Sequence, residues 1–291
     1  MSPLVSPEWL RAHLGAVTLL DATVELPTPR FDGDYRVESG AAGWRAARIP
    51  GARHADLVEA LSVPHPVCSF THPEALVLRR ALAALGVSPA RPTVVYDRAD
   101  GFWAARLWWM ARAAGVAVQV LDGGWAGWQA IGGAVETGAP PPAVALPPAA
   151  ATERTGAWVG RADVEAALAD PANGRLVCAL SAAVFSGAGP TRYARRGAIP
   201  GSLNLPARDL NAADGRMAAP EALEALFTER LGAEAGRAER LLLYCGGGIS
   251  AAWLALGLVI AGRDNITIYD HSLQEWAADP ALPLVCSAPG T

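Results

Sequence analysis

At 291 residues the chain is long enough for two domains of ordinary size, each with a core of its own. It is 52% hydrophobic and 18% charged, as a globular protein is, and its 24 basic and 28 acidic side chains form no block of like charge. That balance argues against nucleic acid or an anionic membrane as partner, since both need clustered Lys and Arg.

The first ten residues carry Pro3, Pro7 and Glu8 and no continuous apolar core, unlike a secretory signal. Apolar runs then alternate with helical patterns. Strands are expected at Thr18–Leu20, Thr93–Tyr96 and Ala117–Leu121. Helices are expected at Pro73–Leu85 and Phe102–Ala114, with a helical turn at Gly124–Ala130. Gly138–Ala151 holds five prolines and no charge, which favours extended backbone and marks a linker. Beyond it come strand Leu176–Leu180, helix Pro220–Leu231, strand Leu241–Tyr244, helix Ser250–Ala261 and strand Ile266–Tyr269. Alternation of this kind predicts an α/β fold with a mostly parallel sheet flanked by helices. Reactive groups then belong just beyond the C-terminal ends of strands.

The two halves repeat each other. Ile49-Pro50-Gly51 returns as Ile199-Pro200-Gly201. Val94-Val95-Tyr96-Asp97 returns as Leu242-Leu243-Tyr244-Cys245. Leu121-Asp122 with Trp128 returns as Tyr269-Asp270 with Trp276. The offsets from 97 to 245, 122 to 270 and 128 to 276 are each 148. Duplicated domains follow: residues 1–137, a Pro-rich linker at 138–154, and residues 155–291. No charged residue separates Arg240 from Arg263, a run long enough to span a bilayer. Gly246, Gly247 and Gly248 interrupt it, so it reads as strand, glycine loop and buried helix.

Cys245 ends the strand Leu241–Tyr244 and opens Gly246-Gly247-Gly248-Ile249-Ser250. Glycines let backbone N–H groups converge, and the next helix adds its positive end; such surroundings favour a thiolate and would stabilise an anionic persulfide. Ser250 is read as the helix cap. The other cysteines, Cys68, Cys178 and Cys286, show no metal spacing, and neither do His13, His54, His65, His72 and His271. Free thiols in a reducing cytoplasm are expected. Cys178 and the tryptophans read as packing.

Ile199-Pro200-Gly201-Ser202-Leu203-Asn204, Tyr244-Cys245 with its glycines, and Tyr269-Asp270 with Glu275-Trp276 resemble the catalytic domain of rhodanese-type sulfurtransferases. Arg48-Ile49-Pro50-Gly51-Ala52, Val95-Tyr96-Asp97-Arg98, Ala104 to Trp109 and Leu121 to Trp125 resemble the non-catalytic first domain. The resemblance covers nearly the whole chain. It implies two tandem rhodanese-like domains and a thiosulfate- or 3-mercaptopyruvate-type sulfurtransferase working through a Cys245 persulfide. It further implies a small sulfur donor, a thiol, cyanide or thioredoxin-like acceptor, no cofactor or metal, and residues 246–250 as the anion cradle.

The uncharged loop is similar to that of the mercaptopyruvate enzymes. Their carboxylate-binding arginines fall in the segment matching Ala179–Gly197, where Arg192 is the candidate and Arg195 and Arg196 read as surface charges. Cys178-Ala179-Leu180 stands where the family has Asp-Ala-Arg. Val58 and Cys68 fall near the family's first-domain Asp and His. These departures leave a non-catalytic sulfur-sensing or binding module as the alternative. A phosphatase on the related fold would need Arg where Ala251 stands.

Overall fold

The computed structural model describes residues 2–138 and 146–286. In the first half, β1 (Leu4–Val5), β2 (Thr18–Asp21), β3 (Val24–Glu25), β4 (Glu38–Ser39), β5 (Arg53–His54), β6 (Thr93–Tyr96) and β7 (Gln119–Leu121) alternate with α1 (Pro7–His13), α2 (Ala41–Ala46), α3 (Ala75–Ala84), α4 (Phe102–Ala113) and α5 (Gly124–Ala130). The second half holds β8 (Trp158–Val159), β9 (Arg175–Cys178), β10 (Leu203–Asn204), β11 (Leu241–Tyr244) and β12 (Ile266–Tyr269). Its helices are α6 (Arg161–Ala169), α7 (Ala182–Phe185), α8 (Pro220–Leu231), α9 (Ile249–Ile260) and α10 (Ser272–Trp276).

Each half builds one five-stranded, wholly parallel sheet, in the order β1-β7-β6-β2-β5 and β8-β12-β11-β9-β10. The two orders are the same once each strand is replaced by its duplicate. β6 and β11 lie centrally and are buried at every position, which is why both read as near-continuous apolar runs. β3 and β4 stand apart as a small antiparallel ribbon.

Differences from the expected elements are confined to ends. The strand expected to reach Leu180 stops at Cys178, because the chain turns there into α7, whose Val184 N–H is accepted by the Ser181 hydroxyl. Of the expected linker, 139–145 lie outside the described residues. The remainder runs back along the first half: Leu146 N–H donates to Ala83 O (3.3 Å) and Arg154 N–H to Ala113 O (2.8 Å).

α4 and α9 pack against each other and join the halves into one continuous apolar core. Their N-termini are reciprocal. Gly101 caps α4 at φ +85° and Gly248 caps α9 at φ +75°. A side chain on Gly101 would strike the Trp253 ring of α9 at 2.5 Å; one on Gly248 would strike Arg106 of α4 at 2.6 Å. Both caps are glycine for two reasons, the left-handed backbone and the opposing helix.

The loop between β6 and α4 shows what this turn is built to hold. The buried Asp97 carboxylate, at the position of Cys245 in the duplicate, accepts the N–H groups of Ala99 (2.9 Å), Gly101 (3.1 Å) and Ala104 (2.9 Å). Burial pushes this carboxyl up despite those bonds. Asp97→Ala leaves three N–H groups without this acceptor, two of them buried, and should cost about 2–3 kcal/mol in chemical denaturation. Protonation favours the fold here, so wild type should lose stability relative to Asp97→Asn as pH rises above the ordinary carboxylate range. Parallel curves for the two proteins would contradict this.

Candidate active site

Cys245 lies at the C-terminal end of β11 and is 2% exposed. Its N–H donates to the Ser272 hydroxyl (3.1 Å), which donates to Tyr269 O (2.7 Å). The carbonyls of Cys245 and Gly246 accept the N–H groups of Leu273 (3.2 Å) and Gln274 (2.9 Å). The loop is thereby stitched to α10. Ser272 holds φ +49° to do this. Phe70 (φ +64°), the other described non-glycine residue with positive φ, presents its carbonyl to Arg106. Strained backbone of this kind persists where surrounding structure dictates it.

The three glycines of the loop are required for different reasons. Only Gly248 has positive φ. A Cβ on Gly246 would lie 1.7 Å from the Tyr193 hydroxyl, and one on Gly247 would lie 2.6 Å from Gln274 Nε2. The glycines therefore admit three side chains to the loop: Tyr193, Gln274 and Arg106. Gln274 Oε1 accepts the Ser69 N–H of the first domain (2.5 Å), while its Nε2 is buried without a partner.

Arg106 comes from α4 of the first domain and is fully buried. Its Nη2 donates to Asp270 Oδ1 and to Phe70 O, both at 2.6 Å, and its guanidinium lies 4.7 Å from the Trp158 ring centre. Asp270 also accepts the His72 N–H (3.1 Å). Nη1 and Nε of Arg106 are unpartnered, with Nη1 turned toward Gly248. Sequence reasoning did not single out Arg106, Gln274, Tyr193 or Tyr35. One signal was present: Arg106 is the sole charge between Phe102 and Ala111, and a charge on a buried helix needs a partner.

Of the expected cradle, Ile249 opens α9 and is buried. Ser250 is the second residue of that helix and caps nothing, because Gly248 occupies the cap. Ser250 lines a cavity of about 320 Å³ with Arg192, Tyr193, Leu180, Val184 and the first domain's Phe102. This cavity lies at the C-terminal ends of the second sheet. A larger one, of about 650 Å³, lies beyond the N-terminal end of β6, away from the cysteine loop. Location relative to the loop makes the smaller cavity the relevant one.

The structure thus brings Arg192 and Ser250 together. Arg192 Nη1 and Nη2 donate to Pro27 O (2.5 Å) and Leu26 O (3.2 Å) of the first domain. Arg195 is not a surface charge: it donates to the carbonyls of Trp276, Ala277, Asp279 and Leu282, closing the end of α10. Arg196 pairs with the half-exposed Asp32 at 2.6 Å. Cys178 is buried beneath the loop, and burial pushes its thiol up to about 12.

His271 turns to the domain seam, where its Nε2 lies 3.1 Å from Thr71 Oγ1 and its Nδ1 lies 3.6 Å from Glu275 Oε2. There His65, Cys68 and His271 gather with ligating atoms within 4.8 Å of one another, a cluster their spacing in the chain conceals. His65 Nδ1 already accepts the N–H groups of Val67 (3.2 Å) and Cys68 (2.9 Å), so that lone pair is occupied.

The rhodanese-like domain family matches residues 6–131 and again 183–279. The 3-mercaptopyruvate sulfurtransferase of Escherichia coli K12 is 32% identical over 96% of each chain. A mitochondrial thiosulfate/3-mercaptopyruvate sulfurtransferase of Arabidopsis thaliana is 30% identical over 97% of this chain and 78% of its own. A crystal structure of a 3-mercaptopyruvate enzyme from Escherichia coli superposes with a TM-score of 0.74 at 30% identity, over 94% of this chain and 99% of that one.

Gly248→Ala tests the contact of the loop with Arg106. Gly262 has nearly the same φ, +74°, and nothing within 4 Å of an added Cβ, so Gly262→Ala isolates the backbone cost of about 1–2 kcal/mol. Gly248→Ala should exceed that in thermal unfolding and slow transfer as well. Equal losses in the two variants would remove Arg106 from the account.

Proposed function

The chain belongs to the rhodanese-like family and is a sulfurtransferase, and on that premise we propose that Cys245 is its sulfur carrier. The observation that supports this most is the Asp97 loop. In the duplicate, three backbone N–H groups converge on the carboxylate at the position of Cys245. The loop after Cys245 is one residue shorter, with cap Gly248 standing for Gly101, so the corresponding N–H groups at the helix end are those of Gly248 and Ala251. A persulfide on Cys245 would receive from them what the Asp97 carboxylate receives in the first half.

Transfer then runs in two displacements. The Cys245 thiolate attacks the outer sulfur of the donor. The bond holding that sulfur breaks, and its electron pair leaves with the donor remnant. In the second step a thiol, cyanide or a thioredoxin-like protein attacks the outer sulfur of the Cys245 persulfide and regenerates the thiolate. Dividing one transfer into two is the usual gain of covalent catalysis. No step calls on a metal or organic cofactor.

For the donor we propose a small carboxylate such as 3-mercaptopyruvate in preference to thiosulfate. Residues 246–250 carry no charge to attract a dianion. Arg192 lines the adjoining cavity with Ser250. Two of its five N–H groups are engaged by Leu26 O and Pro27 O, which hold the guanidinium in place and leave donors for a carboxylate. Among the described residues no helix is long and apolar enough to cross a membrane. With four free cysteines, we place the reaction in a reducing cytoplasm.

Steady-state assays with both donors test this reading. Cys245→Ser should abolish transfer from either. Arg192→Gln should raise KM for 3-mercaptopyruvate about tenfold or more, the loss of one charge-assisted contact, with a smaller effect on kcat. An Arg192→Gln enzyme with unchanged KM would remove Arg192 from donor binding. Efficient turnover of thiosulfate alone would overturn the choice of donor.

A further inference from the structure

Cys245 is closed off in this structure, and the first domain does part of the closing. Residues 26–37 connect β3 to β4 and cross to the second domain. There they meet the segment that follows α7. Asp32 accepts Arg196 Nε (2.6 Å), Arg196 Nη2 (3.1 Å) and the Thr191 N–H (3.2 Å). The Gly33 N–H donates to Thr191 O (3.3 Å), and Arg192 holds the carbonyls of Leu26 and Pro27.

The connection is braced within itself. The buried Asp34 carboxylate accepts the Arg30 N–H (2.8 Å) and Arg36 Nε (2.9 Å), and Arg36 Nη2 donates to Thr28 O (2.8 Å). Arg36 and Arg30 hold the Asp34 carboxyl down to about 2, so the brace persists through the neutral range. A segment braced internally, whose ion pair to its neighbour is exposed and therefore weak and screened, can lift as a unit.

Its next residue, Tyr35, is the one that reaches the site. The Tyr35 oxygen lies 3.6 Å from the point a Cβ on Gly247 would occupy, and its ring lies 6.2 Å from that of Tyr193. Tyr193, 8% exposed, covers Gly246 from the other side. Burial raises the Tyr35 hydroxyl, and the neighbouring Cys245 raises it further, which agrees with the closeness of the two groups.

We propose that residues 26–37 form a strap over Cys245, latched by Asp32, and that Tyr35 is the specificity-determining residue it carries, admitting small reagents and holding back large ones. The strap belongs to the half of the chain that has no thiol at the matching position. In this account the first domain controls which molecules meet the sulfur as well as walling the cleft.

The test needs only the thiol. Alkylation rates are measured for each cysteine by mass spectrometry, with iodoacetamide and with a maleimide bearing a polyethylene glycol chain. The exposed Cys286 serves as an internal reference. In wild type, Cys245 should react more slowly than Cys286, above all with the large reagent. Asp32→Ala and Tyr35→Ala should each speed Cys245 about tenfold, the scale of losing one or two hydrogen bonds. The preference of Cys245 for the small reagent should shrink. Tyr35→Ala should leave Cys286 unchanged; because the Cys286 thiol donates to the carbonyl of Arg196, the partner of Asp32, an added free thiol is the reference for Asp32→Ala. Tyr35→Phe keeps the ring and should behave as wild type.

Three results would overturn the strap: Cys245 as reactive as Cys286 in wild type, no acceleration in either alanine variant with circular dichroism unchanged, or an unaltered size preference. Labelling does not require sulfur transfer. A failure of Cys245 to carry a persulfide would leave this result standing, and a failure here would leave the persulfide reading intact.

Discussion

The buried ion pair between Arg106 and Asp270 ties the two domains together beside the cysteine loop, and much of the site's geometry hangs on it. One partner comes from the middle of α4 and the other follows β12, so neither domain can shift against the other without stranding a buried charge. Such a pair adds little net stability over apolar packing, since desolvation offsets its attraction. Its effect is positional. It places a guanidinium against the cap of α9 and makes Gly248 obligatory. It also holds the Phe70 carbonyl and the His72 N–H of the first domain at the seam, beside Ser69, which Gln274 holds. The reciprocal contact of Gly101 with Trp253 completes a crossing in which each helix cap is shaped by the other helix.

From that crossing the division of labour between the halves follows. Both have the same sheet order and the same strand–loop–helix turn, and both turns direct backbone toward the end of the central strand. In the first half an aspartate fills the turn with its own carboxylate, which stabilises the domain and leaves no opening for chemistry. In the second half a cysteine stands there, and tyrosine, amide and guanidinium groups close around it. One backbone device serves structure on one side and, in our proposal, sulfur transfer on the other.

Much of this was legible in the sequence because duplication and periodicity are carried locally. β6, β11, α5 and α8 fall where apolar runs and turn residues put them, and the 148-residue offset foretold two equivalent sheets. The cysteine loop was visible because its glycines adjoin it in the chain. What stayed hidden depends on partners far apart in sequence. Tyr35 and Gln274 are ordinary residues until the domains dock, and the contact of Ser69 with Gln274 spans 205 positions. Arg195 looked like a surface charge because the four carbonyls it binds lie more than 80 residues downstream. Ser250 looked like a cap because nothing local revealed that Gly248 caps the helix and Ile249 begins it.

The central claim is that Cys245 bears the transferred sulfur. Intact mass spectrometry of the protein after brief exposure to 3-mercaptopyruvate, followed by peptide mapping, tests it most directly. The account predicts a gain of one sulfur atom that maps to Cys245, is discharged by cyanide and is missing in Cys245→Ser. Sulfur on Cys68, Cys178 or Cys286, or a gain that survives in Cys245→Ser, would contradict it.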